Sequence, residues 1–377
     1  KIESLHITRS MQDRAKQLSE EIDDVNLRLE LIAKASNLSL QLYGWYIQHG
    51  HARNDDDRAI LDKMMQDPIL ETIKSSTGFY EQLYRFQCMC WHSFINQDFL
   101  MHYRYSQKWV DLYEANENMK TIETAQYIKG LHNLISAFFD LRNLPKFKDT
   151  IAVLEKFSEA PIVLDNKNNQ IQCFVYIYIA KINQHFLEGS FSEGLNMIPS
   201  MEAQLQEIEP FIDSHRVLVF YYKIACLYFG AGEPAKAIDY LNNIINWKLN
   251  LRDDLQCYAR LLHLIAHFEL GNMEVVNYLS KSVYRFMGKM DNLSTVEEVL
   301  FNFLKKMIQK YGRAGVAGIN KEELKLAFED LLTILGPLEH NKLESRAFMY
   351  LDIISWLESH IQNKDVQTII KEKSAVK

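Results

Sequence analysis

Apolar residues recur at i, i+3, i+4 and i+7 along most of the 377-residue chain, the rhythm of helices packed on helices. The clearest stretches are 12–48, 79–96, 98–114, 122–141, 147–157, 170–187 and 191–207, then 214–229, 234–247, 253–270, 273–287, 295–311, 321–335 and 342–361. Most of the few glycines and prolines fall between them. "CFVYIYI", from Cys173, has the β-branched and aromatic content of a strand. It continues to Gly189 without a turn signal and has the length of its neighbours, so it too is predicted helical. Helix ends carry matching chemistry. Asn320 before "KEELKLAFEDLL" can cap, with Glu323 reaching back. Pro234 sits where a missing N–H costs nothing, and Gly336-Pro337 is a stop. The pattern predicts an all-α chain.

Three segments repeat one arrangement: "HFLEGSFSEGLNMI", "YFGAGEPAKAIDYL" and "HFELGNMEVVNYL" each place an aromatic shortly before Gly189, Gly232 or Gly271, then a second apolar helix. The step is about 40 residues, the period of stacked helical hairpins too small to bury an apolar face alone. The middle unit resembles a tetratricopeptide repeat. With Tyr221 as its large fourth residue, Ala225 is the eighth, Tyr228 the eleventh, Ala237 the twentieth and Leu241 the twenty-fourth. The preceding unit keeps Gly189, Phe191 and Gly194, whereas Val276 replaces the small residue in the following one. "INQDFLMHYRYSQKWVDLYE" and "LRNLPKFKDTIAVLEKF" resemble further, more diverged units. Together with "GLHNLISAFF", "LRDDLQCYARLLHLIAHFELGN" and "SVYRFM", these segments resemble a family of tetratricopeptide-like proteins of the Bacteroidota. The resemblance implies a helical solenoid and a cytoplasmic bacterial protein, and carries over no catalytic residue. The expected architecture is a right-handed α-solenoid of about six degenerate hairpins, with an N-terminal helical region over 1–77, repeats over 78–311 and a C-terminal cap over 312–377.

A net charge of −7 gives no global positive field for phosphates and argues against nucleic-acid binding. Five cysteines in apolar helical stretches read as reduced thiols and a cytoplasmic location. No run approaches the ~18 apolar residues a membrane span needs.

Candidate chemistry is sparse. "CMCWH" brings Cys88, Cys90 and His92 together in sequence, but on a helix Cys90 points away from the other two, so buried thiols are expected rather than zinc. "QHGHARNDDD" (48–57) has the composition of some metal sites, yet reads as a solvated turn in which Asp55, Asp56 and Asp57 cap and charge the next helix. "DNKNNQ" lacks the glycine and final acid of a calcium loop, and "GRAGVAG" lacks the Lys of a phosphate loop. No metal, cofactor or catalytic residue is expected.

What remains is the concave face. First helices of such hairpins line it, and the register sends Tyr176, Ile179, Asn183 and Phe186 there from one unit. The next two contribute Tyr222, Lys223, Cys226 and Phe229, then Tyr258, Leu262, Ile265 and Phe268. The residues expected to hold a partner are Tyr176, Asn183, Phe186, Tyr222, Lys223, Phe229, Tyr258 and Phe268. Asn183 and Lys223 suit a peptide backbone or carboxylate. The expected function is a non-enzymatic scaffold that binds a protein or peptide segment in an aromatic groove. The alternatives are a regulatory sensor of a short peptide or small ligand, and a nucleic-acid or ribosome-associated adaptor.

Overall fold

The computed structural model describes residues 12–75, 78–247, 252–288, 295–311, 320–341, 344 and 352–375. Every regular element among them is helical, "CFVYIYI" included, and none is long and apolar enough to cross a membrane. The "GRAGVAG" segment and the start of the 342–361 prediction lie outside the described residues.

Helix α1 (Gln12–His49) precedes α2 (Asp55–Met65) and α3 (Pro68–Thr72). Helical hairpins follow: α4 (Phe79–Ile95) with α5 (Phe99–Glu114), then α7 (Thr124–Asp140) with α8 (Leu144–Ser158). Next come α10 (Lys167–Glu188) with α11 (Phe191–Gly194) and α12 (Ile198–Ile208), α13 (Ser214–Gly230) with α14 (Pro234–Ile245), and α15 (Asp253–Glu269) with α16 (Met273–Met287). Single turns α6 (Met119–Ile122) and α9 (Pro161–Leu164) join the early hairpins. Helices α17 (Thr295–Tyr311), α18 (Lys321–Leu335), α19 (Ile353–Gln362) and α20 (Val366–Ala375) complete the chain.

The helix predicted over 191–207 is broken between α11 and α12 by a 3-10 turn at Leu195–Met197. Pro199 is the cause: it lacks an N–H and its ring conflicts with the carbonyl four residues earlier. Loop 48–57 also departs from expectation. Asn54 is the cap of α2, its side chain accepting from the Asp57 N–H at 2.8 Å, while the three aspartates occupy the first turn. His51 is buried rather than solvated. Asn320 caps α18 as predicted, but Glu323 pairs with Lys310 at 3.3 Å.

The hairpins share one turn. Gln97, Arg142, Gly189, Gly232 and Gly271 all have positive φ. The next residue donates its N–H five positions back each time: Asp98 to Ser93, Asn143 to Phe138, Ser190 to His185, Glu233 to Tyr228 and Asn272 to His267. This is a Schellman ending, in which a left-handed residue lets the last carbonyls find donors. The sequence pattern located it only where the residue is glycine.

Neighbouring hairpins pack in chain order: α5 meets α7, α10 meets α7 and α8, α13 meets α10, and α15 meets α13 and α14. One apolar cluster joins α1 to α4 around Leu42, Leu61 and Trp91. A second runs from α4 to α13 through Trp109, Phe138 and Phe220. A third joins α13 to α19 through Leu241, Ile265, Phe328 and Trp356. Two returns cross this order: the end of α1 touches α15, and α20 lies on α10.

At the second return, a Cβ on Gly189 would stand 2.7 Å from the Gln367 carbonyl oxygen of α20, whereas one on Gly232 would meet nothing within 4 Å. Gly232→Ala should therefore cost only the left-handed penalty of ~1 kcal/mol. Gly189→Ala adds the clash and should cost ~2 kcal/mol, with faster amide exchange confined to α20. Equal losses in the two variants would refute this docking.

Candidate functional site

The inner stripes of α4, α7, α10 and α13, closed on one side by α1, surround a cavity of about 310 Å³. On α7, Lys129, His132, Ser136 and Asp140 fall at helical spacing and face it, while Leu131, Leu134 and Phe138 on other faces enter the core. Helix α10 supplies Tyr176, Ile179 and Asn183, and α13 supplies Arg216, Val219 and Lys223. Tyr43 and Tyr46 of α1, with Trp91 and Phe94 of α4, form the aromatic wall.

Three cations face this space. Lys223 is buried; its Nζ donates to Asn183 Oδ1 at 2.6 Å and lies over the rings of Phe139 and Phe186 at 5.7 and 5.5 Å. Arg216 pairs with Asp213 through Nε at 3.2 Å, and its Nη2 donates to the Tyr176 hydroxyl at 3.4 Å. Lys129 differs from both. Its Nζ lies 5.2 Å from the Tyr43 ring centre and 5.3 Å from that of Trp91, and it has no hydrogen bond or ion pair among the described residues. Burial, reinforced by Arg216, pushes its ammonium down to about 8.

His132 stacks on Tyr176 with centroids 3.8 Å apart and planes 6° from parallel. Burial, then Arg216 and the other cations, pushes the imidazole down to about 3, so it is neutral at physiological pH. Its Nδ1 is buried without a hydrogen-bond partner among the described residues. The carboxylate of Asp140 lines the same cavity, and its Oδ2 lies 3.7 Å from His102 Nδ1. Burial opposes a charged His102, but Cys90 and Asp140 prevail and raise it to about 9. Three cationic side chains and one carboxylate thus line this cavity in a chain whose net charge is −7.

Of the residues expected at the groove, the cavity brings together Tyr176, Asn183 and Lys223, and the Phe186 ring adjoins through Lys223. Tyr222 and Tyr258 instead border a void of about 10 Å³ with residues of α15, α17 and α19. Phe229 and Phe268 are buried in the third cluster, Phe268 against Phe328 at 6.4 Å. Beyond α13 the chain's own C-terminal helices cover what the repeat register leaves as inner face. Sequence reasoning missed Lys129, His132 and Arg216. Their signal was a polar stripe at helical spacing opposite an apolar one, which also describes a solvated face.

A buried latch adjoins the cavity through Tyr46. Arg252, at φ 54° and fully buried, sends Nε and Nη2 to the two Asp254 carboxylate oxygens at 2.7 Å each. Its Nη1 donates to the Tyr46 hydroxyl at 2.9 Å, tying α1 to the start of α15. Gly50, at φ 83°, leaves room for this carboxylate: a Cβ there would stand 2.5 Å from Asp254 Cγ.

"CMCWH" disperses. Cys88 donates to the Ala35 carbonyl at 3.4 Å, Cys90 contacts Ser106 Oγ at 3.3 Å, and His92 contacts Asp62 at 2.8 Å. No group of three His, Cys, Asp or Glu side chains converges as a metal site among the described residues. A scan against protein-family models finds no match to the chain, and a search of curated proteins finds none either.

Proposed function

We propose that the protein is a non-enzymatic interaction scaffold, a right-handed α-solenoid of degenerate tetratricopeptide-like hairpins that holds a carboxylate-bearing partner segment in its inner cavity. The observation that carries this reading is the convergence of Lys129, Arg216 and Lys223 on one aromatic-walled space in an otherwise acidic chain. A carboxylate entering there meets donors already desolvated, so charge-assisted hydrogen bonds form with little further ordering. The shared Schellman turns at Gln97, Arg142, Gly189, Gly232 and Gly271 support the repeat assignment. Five buried free cysteines support a reducing, cytoplasmic setting.

The test is selection from a peptide library displayed with free C-termini, followed by fluorescence anisotropy of enriched peptides and their C-terminal amides. Binding should fall at least ~10-fold in Arg216→Met with Lys223→Met, the loss of a charged hydrogen bond. Loss on amidation identifies the terminal carboxylate, and tolerance of amidation with loss on Glu→Gln or Asp→Asn in the peptide identifies a side chain. Enriched peptides that bind the double variant unchanged would sink the assignment.

A second reading, a sensor of a short peptide or small ligand, is favoured by the volume. A volume of about 310 Å³ suits one residue or a small molecule better than an extended segment.

A further inference from the structure

We infer that Lys129 is a covalent docking point for a small 2-oxo acid, whose ketone condenses with the ε-amine to a reversible imine while Arg216 and Lys223 hold its carboxylate. The inference uses the cavity described above but does not depend on a peptide occupying it.

A lysine becomes a carbonyl nucleophile when its amine is desolvated, placed beside another cation and left without an acceptor that would hold the ammonium form. Lys129 meets all three conditions. It lines the cavity among aromatic rings, Arg216 lines the same cavity, and no described residue accepts a hydrogen bond from its Nζ. The surface ion pairs show the contrast: Lys34 lies against Glu30 at 2.5 Å and Lys120 against Glu114 at 2.7 Å. With its ammonium pushed down to about 8, roughly a fifth of Lys129 is free amine near pH 7.4, against about a thousandth for a solvated lysine.

The surroundings also suit the product. Attack by the amine lone pair forms a C–N bond and sends the carbonyl π pair to oxygen. That oxygen takes up a proton as nitrogen loses one, giving a neutral carbinolamine. Protonation of the hydroxyl then releases water while the nitrogen lone pair forms the C=N bond, giving the iminium, which becomes the neutral imine by returning that proton to solvent. Amine and ketone become imine and water, with no change of oxidation state. When protonated, the iminium places its positive charge where the ammonium stood, before the faces of Tyr43 and Trp91. His132 lies one turn along α7 from Lys129 and stays neutral, so it adds no competing charge beside the iminium while solvent exchanges the protons. Arg216 and Lys223 both line the cavity, and Asp213 engages Arg216 from outside the lining. The volume matches the lower end of small-ligand sites, which sets the class at oxo acids with a short or single-ring side chain.

The test is reductive trapping on the full chain. Pyruvate and phenylpyruvate are incubated separately with the protein and cyanoborohydride, followed by intact-mass measurement and peptide mapping. The expected result is one adduct per chain at Lys129. Phenylacetone, which lacks the carboxylate, should label at least ~10-fold more slowly, and benzoate should compete with phenylpyruvate. Lys129→Arg should give no adduct while retaining its circular dichroism, and Arg216→Met should slow trapping by ~10-fold with Lys129 still present. Adducts spread evenly over surface lysines, or a folded wild-type chain unlabelled at Lys129, would overturn the inference. If library peptides bind while Lys129 stays unlabelled, the oxo-acid inference falls and the partner-binding reading stands.

Discussion

Arg252→Met is expected to destabilise the protein by about 3–5 kcal/mol, because it removes one partner of a buried ion pair and leaves the other charge in place. Arg252 is fully buried and Asp254 nearly so, with two parallel 2.7 Å hydrogen bonds between them. Burial alone would raise the Asp254 carboxyl; Arg252, then His51 and Arg53, override it and hold it well below the usual carboxylate range. A depressed carboxyl stabilises the fold at pH values above its unfolded value near 4. That contribution is lost as pH falls through the folded value, so the latch holds across the neutral range and weakens in acid. The loss should appear as a lower urea midpoint, with amide exchange rising first in the last turns of α1, where Tyr46 loses its donor. Arg252→Met with Asp254→Leu should recover much of the loss, since no buried carboxylate is then left without its guanidinium. A single variant costing under ~1 kcal/mol would show that the pair does not clamp α1.

The latch also marks the limit of what the chain revealed as a sequence. Periodicity placed most helices because each apolar stripe is local, and Pro234 and Asn320 announced their helix starts by local chemistry. His51 read as part of a solvated turn because the loop pattern does not show what folds over it; Phe94 at 4.8 Å between ring centroids and Asp254 at 3.9 Å come from distant elements. Gln97 and Arg142 hid two hairpin turns, since a left-handed residue need not be glycine. The inner stripe of α10 and α13 was legible through Tyr176, Asn183 and Lys223. Tyr258 and Phe268 carry the same spacing, but α17 to α19 cover that side, and a repeat register holds no information about helices beyond the repeat. Lys129 and Arg216 stayed hidden because a cation on a second helix face looks the same from sequence whether water or a cavity lies beyond it.

Lys129→Met should separate a structural from a binding role for this cavity, because the two roles predict opposite signs. A lysine that held helices together would destabilise the protein when removed. Lys129 holds no acceptor, and its ammonium, pushed from 10.5 down to about 8, is strained at neutral pH. A folded value below the unfolded one means that the charged form costs stability. That cost is complete below about 8 and disappears as pH rises toward 10.4. Of the groups around it, Cys90 on α4 works toward the charged form but is outweighed by burial and by Arg216 on α13; Tyr43 on α1 is raised by burial and stays neutral, His132 on α7 is neutral, and Tyr176 on α10 and the Asp140 carboxylate on α7 line the same cavity. Relieving that cost, less the two cation–π contacts forfeited, should stabilise Lys129→Met on the order of 2–3 kcal/mol at pH 7. The gain should shrink steadily in urea titrations between pH 8 and 10. A gain of this shape identifies a charge kept at the expense of stability, as expected where an anion or a carbonyl compound completes the site. A loss of stability at pH 7 would make Lys129 part of the packing and remove the main support for a ligand in this cavity.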